Sequence, residues 1–270
     1  MKGSVLHLCY LFIFLAACQP VHRIAVPERR SSLSGSAFYR QVAPWPAARA
    51  DSLARQELLA GNLPSFLGRF QRIWLAVTDS STGRRYRAAV FVAPDYLAVG
   101  TDADWARIPL QPGTAQQVAD RLDCFLPTRA LVDAIYRAAA VRLEPVPLFA
   151  YRDSTPTWWH HHLILEGQRR GRRGLVAGHK KDVVISGAVL RDQRPNRVAI
   201  YGWHRTDGRP IQPLYTGHVN TYVDYSHGIR LVYRRLRVDG RWMDYTELLR
   251  HPVLRRLLCD EADCGMERYN

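Results

Sequence analysis

Gly178-His179-Lys180-Lys181-Asp182 opens a segment in which short apolar runs alternate with polar turns. The runs at 182–186 and 197–203 are rich in β-branched residues, and each predicts a strand. A hairpin is predicted over 229–245, because Asp239-Gly240 is a typical two-residue turn between apolar runs. The second half of the chain is therefore expected to form a mainly antiparallel sheet.

Helical patterns dominate the first half of the chain. A hairpin is predicted over 71–92 and a short strand over 95–100. Apolar periodicity predicts helices over 47–60, 114–122 and 127–139, and another from Thr155 onward. One more helix is predicted near the end of the second half, from Thr246 to about residue 258, with an interruption near Pro252. Helices come first and strands follow, which predicts an α+β fold.

Lys180 and Lys181 are two of only three lysines in a chain otherwise rich in arginine. A lysine carries a compact ammonium whose pKa shifts readily on burial, whereas a guanidinium stays charged. Four of the ten histidines fall in the segment that these lysines open, and histidine is suited to proton transfer near neutral pH. We predict that Lys180, Lys181 and Asp182 lie on the substrate side of a reactive centre.

A polar loop between Gly217 and Gly228 concentrates reactive side chains. We predict that His218, Asp224, Ser226 and His227 lie on the substrate side, where Asp224 can orient His227 as a base while Ser226 or Lys180 contacts substrate. Alternatively, His218, Asp224 and His227 resemble a set of zinc ligands. Their order and spacing differ from those of zinc cell-wall peptidases, so we assign no metal and keep zinc as the alternative. A loop of purely structural histidines is the third interpretation.

A free thiol precedes one of the predicted helices. Cys124 lies just before the helix that is expected to begin at Pro127, and the positive end of a helix favours a thiolate. His179 precedes one predicted strand and His204 ends the next. If these strands are neighbours, both imidazoles lie at one sheet edge and face the helix.

This order of residues resembles the NlpC-type papain-like cysteine peptidases of the cell wall, over about residues 115–205. The resemblance implies a papain-like core, with Cys124 as nucleophile, His179 as base and His204 as orienting residue. It also implies hydrolysis of an amide bond. The family follows its cysteine with Ser-Gly, whereas this chain has Phe125-Leu126.

The first residues have the pattern of a secretion signal. Residues 1–17 carry Lys2 and an apolar run too short to span a bilayer. Leu15-Ala16-Ala17-Cys18 resembles a bacterial lipobox, which implies that Cys18 is lipidated on export and anchors the protein to a membrane. Residues 18–38 are polar and turn-prone and predict a tether. Residues 39–270 then form a single α+β domain, with a helical and hairpin-containing part at 39–150 and a strand-rich part at 151–270.

Export places the remaining cysteines in an oxidising compartment. Cys259 and Cys264 are close in sequence and are predicted to form a disulfide, which leaves Cys124 free.

The chain is strongly basic, with a formal charge of +14 and a pI near 10. Such a charge favours anionic neighbours, and the densest basic run is Arg169–Arg173. No nucleic-acid-binding motif is visible, and export argues against a nucleic-acid partner. The predicted partners are a membrane, through the lipid, and an anionic polymer of the cell envelope.

These patterns predict an exported bacterial lipoprotein that hydrolyses an amide bond in peptidoglycan or a related envelope substrate without a cofactor. One alternative is a metal-dependent or His/Asp hydrolase centred on His218, Asp224 and His227. The other is a lipoprotein that binds envelope polymer and catalyses no reaction.

Overall fold

A computed structural model describes residues 21–270, so the predicted signal peptide and Cys18 lie outside the described residues. The helices are α1 (Gly35–Val42), α2 (Ala47–Leu59), α3 (Pro112–Arg121), α4 (Arg129–Ala138), α5 (Thr155–Arg169), α6 (Gly187–Arg191) and α7 (Tyr245–Arg250), with short 3₁₀ helices at Ser65–Gly68 and Leu254–Leu257. The strands are β1 (Val21–Arg23), β2 (Arg69–Thr78), β3 (Arg85–Val92), β4 (Ala98–Gly100), β5 (Trp105–Arg107), β6 (Cys124–Phe125), β7 (Val141–Arg142), β8 (Val176–Ala177), β9 (Lys181–Val184), β10 (Arg197–His204), β11 (Pro210–Val219), β12 (His227–Gly228), β13 (Val232–Tyr233), β14 (Arg235–Val238) and β15 (Arg241–Asp244). Among the helices of residues 21–270, none has the length and apolar character needed to cross a membrane.

Two sheets contain most of the strands. The larger has the order β1-β2-β3-β13-β6, with β14 pairing with both β3 and β15, and all of its pairs are antiparallel. The smaller has the order β11-β10-β9-β12, in which β12 runs parallel to β9. Because strands from the two halves of the chain share the larger sheet, the halves are not separate units. One hydrophobic cluster accordingly extends from Phe38 to Tyr269.

The predicted α+β class with mainly antiparallel sheets is confirmed. β2 and β3 form the predicted hairpin, and the carboxylate of Asp79 closes its turn by accepting hydrogen bonds from Ser81 and Thr82. β14 and β15 pair across Asp239 and Gly240, whose φ angles are 44° and 90°. Positive φ at both central residues is the geometry that the Asp-Gly sequence favours.

Part of the predicted tether is instead packed on the domain. β1 pairs with the start of β2, and the amide of Ile24 donates to the carbonyl of Gly68. The hydroxyl of Ser34 accepts from the amide of Ala37 and caps α1. The polar residues that suggested a linker are used here for capping, since serine is as favourable at a helix N-cap as in a flexible segment.

The predicted helix start near Cys124 also differs. Thr128 caps α4 by accepting from the amide of Leu131, so Pro127 precedes the helix. Cys124 belongs to β6, where it lies opposite Tyr233. β6 places Cys124 in a sheet with a strand more than 100 residues later, which local sequence does not reveal.

Candidate functional site

The predicted nucleophile is inaccessible. The Cys124 side chain is 3% exposed, and its thiol donates to the carbonyl of Leu122 at 3.2 Å. Burial, together with the negative charge of Asp123, raises the pKa of the thiol well above its usual value. Such a group is a thiol at neutral pH, and reactive cysteines need the thiolate. The predicted disulfide between Cys259 and Cys264 is present, with Cα atoms 6.0 Å apart.

The two predicted histidines contact other partners. The Nε2 atom of His179 lies 3.5 Å from the carboxylate of Asp95, and its ring packs edge-on against Tyr96. Burial lowers the pKa of His179 to about 4. The Nε2 atom of His204 lies 2.8 Å from the carboxylate of Asp133. The structure therefore assigns His179 and His204 to separate carboxylates.

The lysine pair enters a buried polar core. The Nζ atom of Lys180 lies 3.1 Å from Nδ1 of His161 and donates to the carbonyl of Tyr225. Burial, with the positive charge of Arg107, lowers the pKa of Lys180 to about 7. The ammonium of Lys181 lies 4.8 Å from the ring centroid of Trp203. The first lysine is therefore a group that can gain or lose a proton near neutral pH.

Asp182, the third member of this run, is an unusually basic carboxyl group. It is buried and accepts a hydrogen bond of 2.7 Å from the hydroxyl of Tyr96. Burial raises its pKa to about 6.

The Asp224–Gly228 loop meets the lysine pair through the parallel pairing of β12 with β9, in which His227 lies opposite Lys181. Ser226 donates to Asp224 from both its amide, at 2.8 Å, and its hydroxyl, at 2.5 Å. Burial raises the pKa of Asp224, but His227 and the Ser226 hydrogen bonds outweigh it and lower that pKa to about 2. His227 is itself buried, which lowers its pKa to about 4.

The loop brings together the three residues considered as metal ligands. Nε2 of His227 lies 4.0 Å from Asp224, and the rings of His218 and His227 have centroids 5.8 Å apart. Arg152 pairs with Asp224 at 3.0 Å. Within residues 21–270, no group of three or more His, Cys, Asp or Glu side chains is arranged to hold a metal ion. In the described geometry the loop is a hydrogen-bonded charge cluster.

A buried network of ion pairs lies beside this polar core, and its residues were not predicted from the sequence. Arg107 pairs with Asp95 at 2.6 Å and with Glu166 at 2.8 Å. Burial raises the pKa of Asp95, but the Arg107 charge outweighs it and holds the pKa well below its usual value. The residues come from β5, α5 and the segment before β4, so no local motif connects them.

An open cavity of about 350 Å³ lies beside His204. Its walls include Asp133, Tyr136 and Tyr201, and two arginines, Arg137 and Arg142, also line it. The His204 ring stacks on Tyr136 with centroids 4.5 Å apart. Among the predicted catalytic residues, His204 is the one that lines this open cavity, with 3% of its surface exposed.

Asp133 was not predicted, although it is the residue that orients His204. Its carboxylate forms a hydrogen bond with Nε2 of His204 and accepts another, at 2.9 Å, from the hydroxyl of Tyr201. Burial raises the pKa of Asp133, but these two hydrogen bonds outweigh it, and the pKa is lowered. A single acidic residue within the predicted 127–139 helix was the available signal.

The backbone immediately before His204 is unusual for a strand. Gly202 has φ 106° and Trp203 has φ 57°, and the register of β10 against β11 shifts between Ile200 and Gly202. A non-glycine residue with positive φ stores strain, and such strain concentrates at functional sites. A Cβ on Gly202 would lie 3.4 Å from the His204 ring. The irregularity therefore sets the position of the imidazole.

No family model, curated protein or solved structure matches this chain.

Proposed function

We propose that this protein is a hydrolase of the cell envelope that cleaves an amide bond with His204 as general base and Asp133 as its orienting carboxylate. The observation that supports this most strongly is the 2.8 Å contact between them at the wall of an open cavity. A histidine fixed by a carboxylate within reach of substrate is the usual arrangement for a base near neutral pH.

The arrangement supports hydrolysis by water. With Nε2–H of His204 donating to Asp133, Nδ1 is the basic nitrogen. Nδ1 takes a proton from a water molecule as its oxygen attacks the amide carbon. The same Nδ1–H then donates to the leaving nitrogen, so the C–N bond breaks and the imidazole returns to its starting state. Asp133 keeps the ring in one tautomer and stabilises the transient imidazolium.

Two cationic side chains can bind an anionic group of the substrate, beside the acidic side chain of Asp207, which lines the same cavity. Arg137 and Arg142 line the cavity and are exposed, so their guanidinium groups can bind a carboxylate of the substrate or the developing oxyanion. Peptide stems of peptidoglycan carry free carboxylates next to amide bonds. This chemistry agrees with the export signal predicted at residues 1–17 and with lipidation of Cys18, both of which we retain as part of the proposal.

The NlpC-type papain-like mechanism, with Cys124 as nucleophile, is the competing proposal. Against it stand the burial of the thiol and its raised pKa. His179 and His204 also contact carboxylates rather than the thiol. Water is therefore the better nucleophile for this site, and Cys124 is assigned to the core.

Digestion of purified peptidoglycan by the full chain in detergent tests the proposal. New amino groups should appear with the wild type, and His204→Ala should reduce their rate of release by at least about 100-fold. Cys124→Ala should retain the rate, whereas the cysteine mechanism requires its loss. His160→Ala, at an exposed position of α5, is the matched control. Full activity of His204→Ala would reject the proposal.

The zinc alternative at His218, Asp224 and His227 has its own test. A zinc enzyme would contain stoichiometric metal by elemental analysis and would lose activity on treatment with a chelator. Our proposal expects the rate of the same digest to be unchanged by the chelator.

A further inference from the structure

A second cavity, on the side of the protein that carries the Arg169–Arg173 run, has a volume of about 500 Å³. It lies among the end of α5, the start of β2 and the segment around β5. It shares no lining residue with the cavity beside His204. Any ligand that it holds is therefore separate from the proposed reaction.

Three arginines, Arg69, Arg169 and Arg173, line this arginine cavity. Arg169 pairs with Glu166 at 3.3 Å. Within residues 21–270, no carboxylate forms an ion pair with Arg69 or Arg173, and both side chains are exposed. Two guanidinium groups are thus available for an anionic ligand.

The two acidic residues that line the cavity, Asp95 and Asp102, contact groups other than Arg69 and Arg173. Asp95 is paired with the buried Arg107 at 2.6 Å. Asp102 accepts hydrogen bonds from the amide of Ser65, at 2.5 Å, and from its hydroxyl, at 2.7 Å. Neither carboxylate forms an ion pair with the two exposed arginines. Asp102 keeps its negative charge, but three arginines against two aspartates still give the lining a net positive charge.

An aromatic wall adds a second recognition element. Phe66 and Trp105 both line the cavity, with ring centroids 5.0 Å apart. The guanidinium of Arg169 lies 5.4 Å from the Trp105 centroid and 5.8 Å from the Phe66 centroid, which holds the two rings and the cation together. A partly exposed aromatic ring beside cationic groups provides an apolar face for a ring and charge for an acid.

We propose that the arginine cavity binds an acidic glycan, with a sugar ring against Trp105 and Phe66 and its carboxylate paired with Arg69 and Arg173. The site would hold the protein on an acidic polysaccharide of the envelope. It depends on none of the residues assigned to hydrolysis, so either proposal can fail without the other.

Binding of the full chain in detergent to an oligomer of mannuronic acid, measured by calorimetry, tests the proposal. The matched neutral ligand is a mannose oligomer of the same length and linkage, which lacks only the carboxylates. Polyglutamate supplies the charge without the sugar rings. We expect binding of the mannuronate oligomer to exceed that of both other ligands by about 10-fold or more.

Variants locate the site. Arg69→Gln combined with Arg173→Gln should weaken mannuronate binding by about 10-fold or more, and Trp105→Leu should remove the preference over polyglutamate. Arg170→Gln is the control, because Arg170 belongs to the same basic run but does not line the cavity. Equal loss with Arg170→Gln would show diffuse charge attraction and overturn the proposal. So would wild-type affinity in the double variant, or equal binding of the neutral oligomer.

Discussion

His179 and His227 make the folded state sensitive to mild acid. Both imidazoles are buried, and burial lowers the pKa of each to about 4. In an unfolded chain each pKa returns to about 6.5, so between these values the unfolded state binds more protons than the folded state. The stability that is fully present above pH 6.5 is therefore lost as the pH falls toward 4.

The two pKa values determine the magnitude. Between pH 7 and pH 5, each histidine lowers the free energy of unfolding by about 2 kcal/mol. Asp182 acts in the opposite direction, because burial raises its pKa to about 6. Its protonation between pH 7 and pH 5 raises the free energy of unfolding by about 1 kcal/mol. The net loss from these three groups is about 2 to 3 kcal/mol. Burial also lowers the pKa values of His161 and His162, so these two imidazoles add to the loss in the same direction.

Urea unfolding of the full chain at pH 7 and pH 5, followed by tryptophan fluorescence, measures this difference. His227→Gln should remove about 2 kcal/mol of the pH dependence. His160→Gln, at an exposed position of α5, is the control and should leave the dependence as in the wild type. Equal wild-type stability at the two pH values would refute the reasoning. So would an unchanged dependence in both His179→Gln and His227→Gln.

Three further changes test other parts of the structure. Asp133→Asn removes the carboxylate that orients His204, so kcat for peptidoglycan digestion should fall by about 100-fold with little change in KM; an unchanged kcat would contradict that role. Gly202→Ala adds a side chain at φ 106°, which should cost about 1 to 3 kcal/mol and lower Tm by several degrees in a thermal melt. Lys180 has a folded pKa of about 7, below its unfolded value, so stability should rise by about 2 kcal/mol between pH 7 and pH 9. Lys180→Met should lack that rise in urea titrations, and a rise equal to that of the wild type would assign it to another group.

Local patterns predicted the hairpins well because their information lies within the turn. Asp239-Gly240 favours positive φ at two successive residues, and the structure has both. The same kind of local information suggested a helix start at Pro127. There it failed for Cys124, whose strand pairs with residues 232–233. Such a contact depends on the whole sheet and leaves no signature in neighbouring residues.

In the candidate site, too, contacts between residues close in sequence were predicted, and contacts between distant residues were not. Clustering of His, Asp and Ser in one loop indicated Asp224 and His227, because these side chains interact over a few residues of chain. Asp133 reaches His204 from a helix 71 residues earlier. A lone aspartate in a helix is usually a solvated residue, so its role could be recognised only once α4 and β10 were placed together.

If Cys18 carries a lipid, as we propose, the first strand limits how far the domain can stand from the bilayer. β1 begins at Val21, three positions after Cys18, and that length of extended chain spans at most about 10 Å. A lipid on Cys18 would therefore keep the β1 edge of the larger sheet at the bilayer surface. The exposed Arg23, which lies opposite Arg69 in this ladder, would then meet the phosphate groups of the lipids. Such a protein would work only in the layer directly next to the bilayer, with a reach set by the size of its own domain.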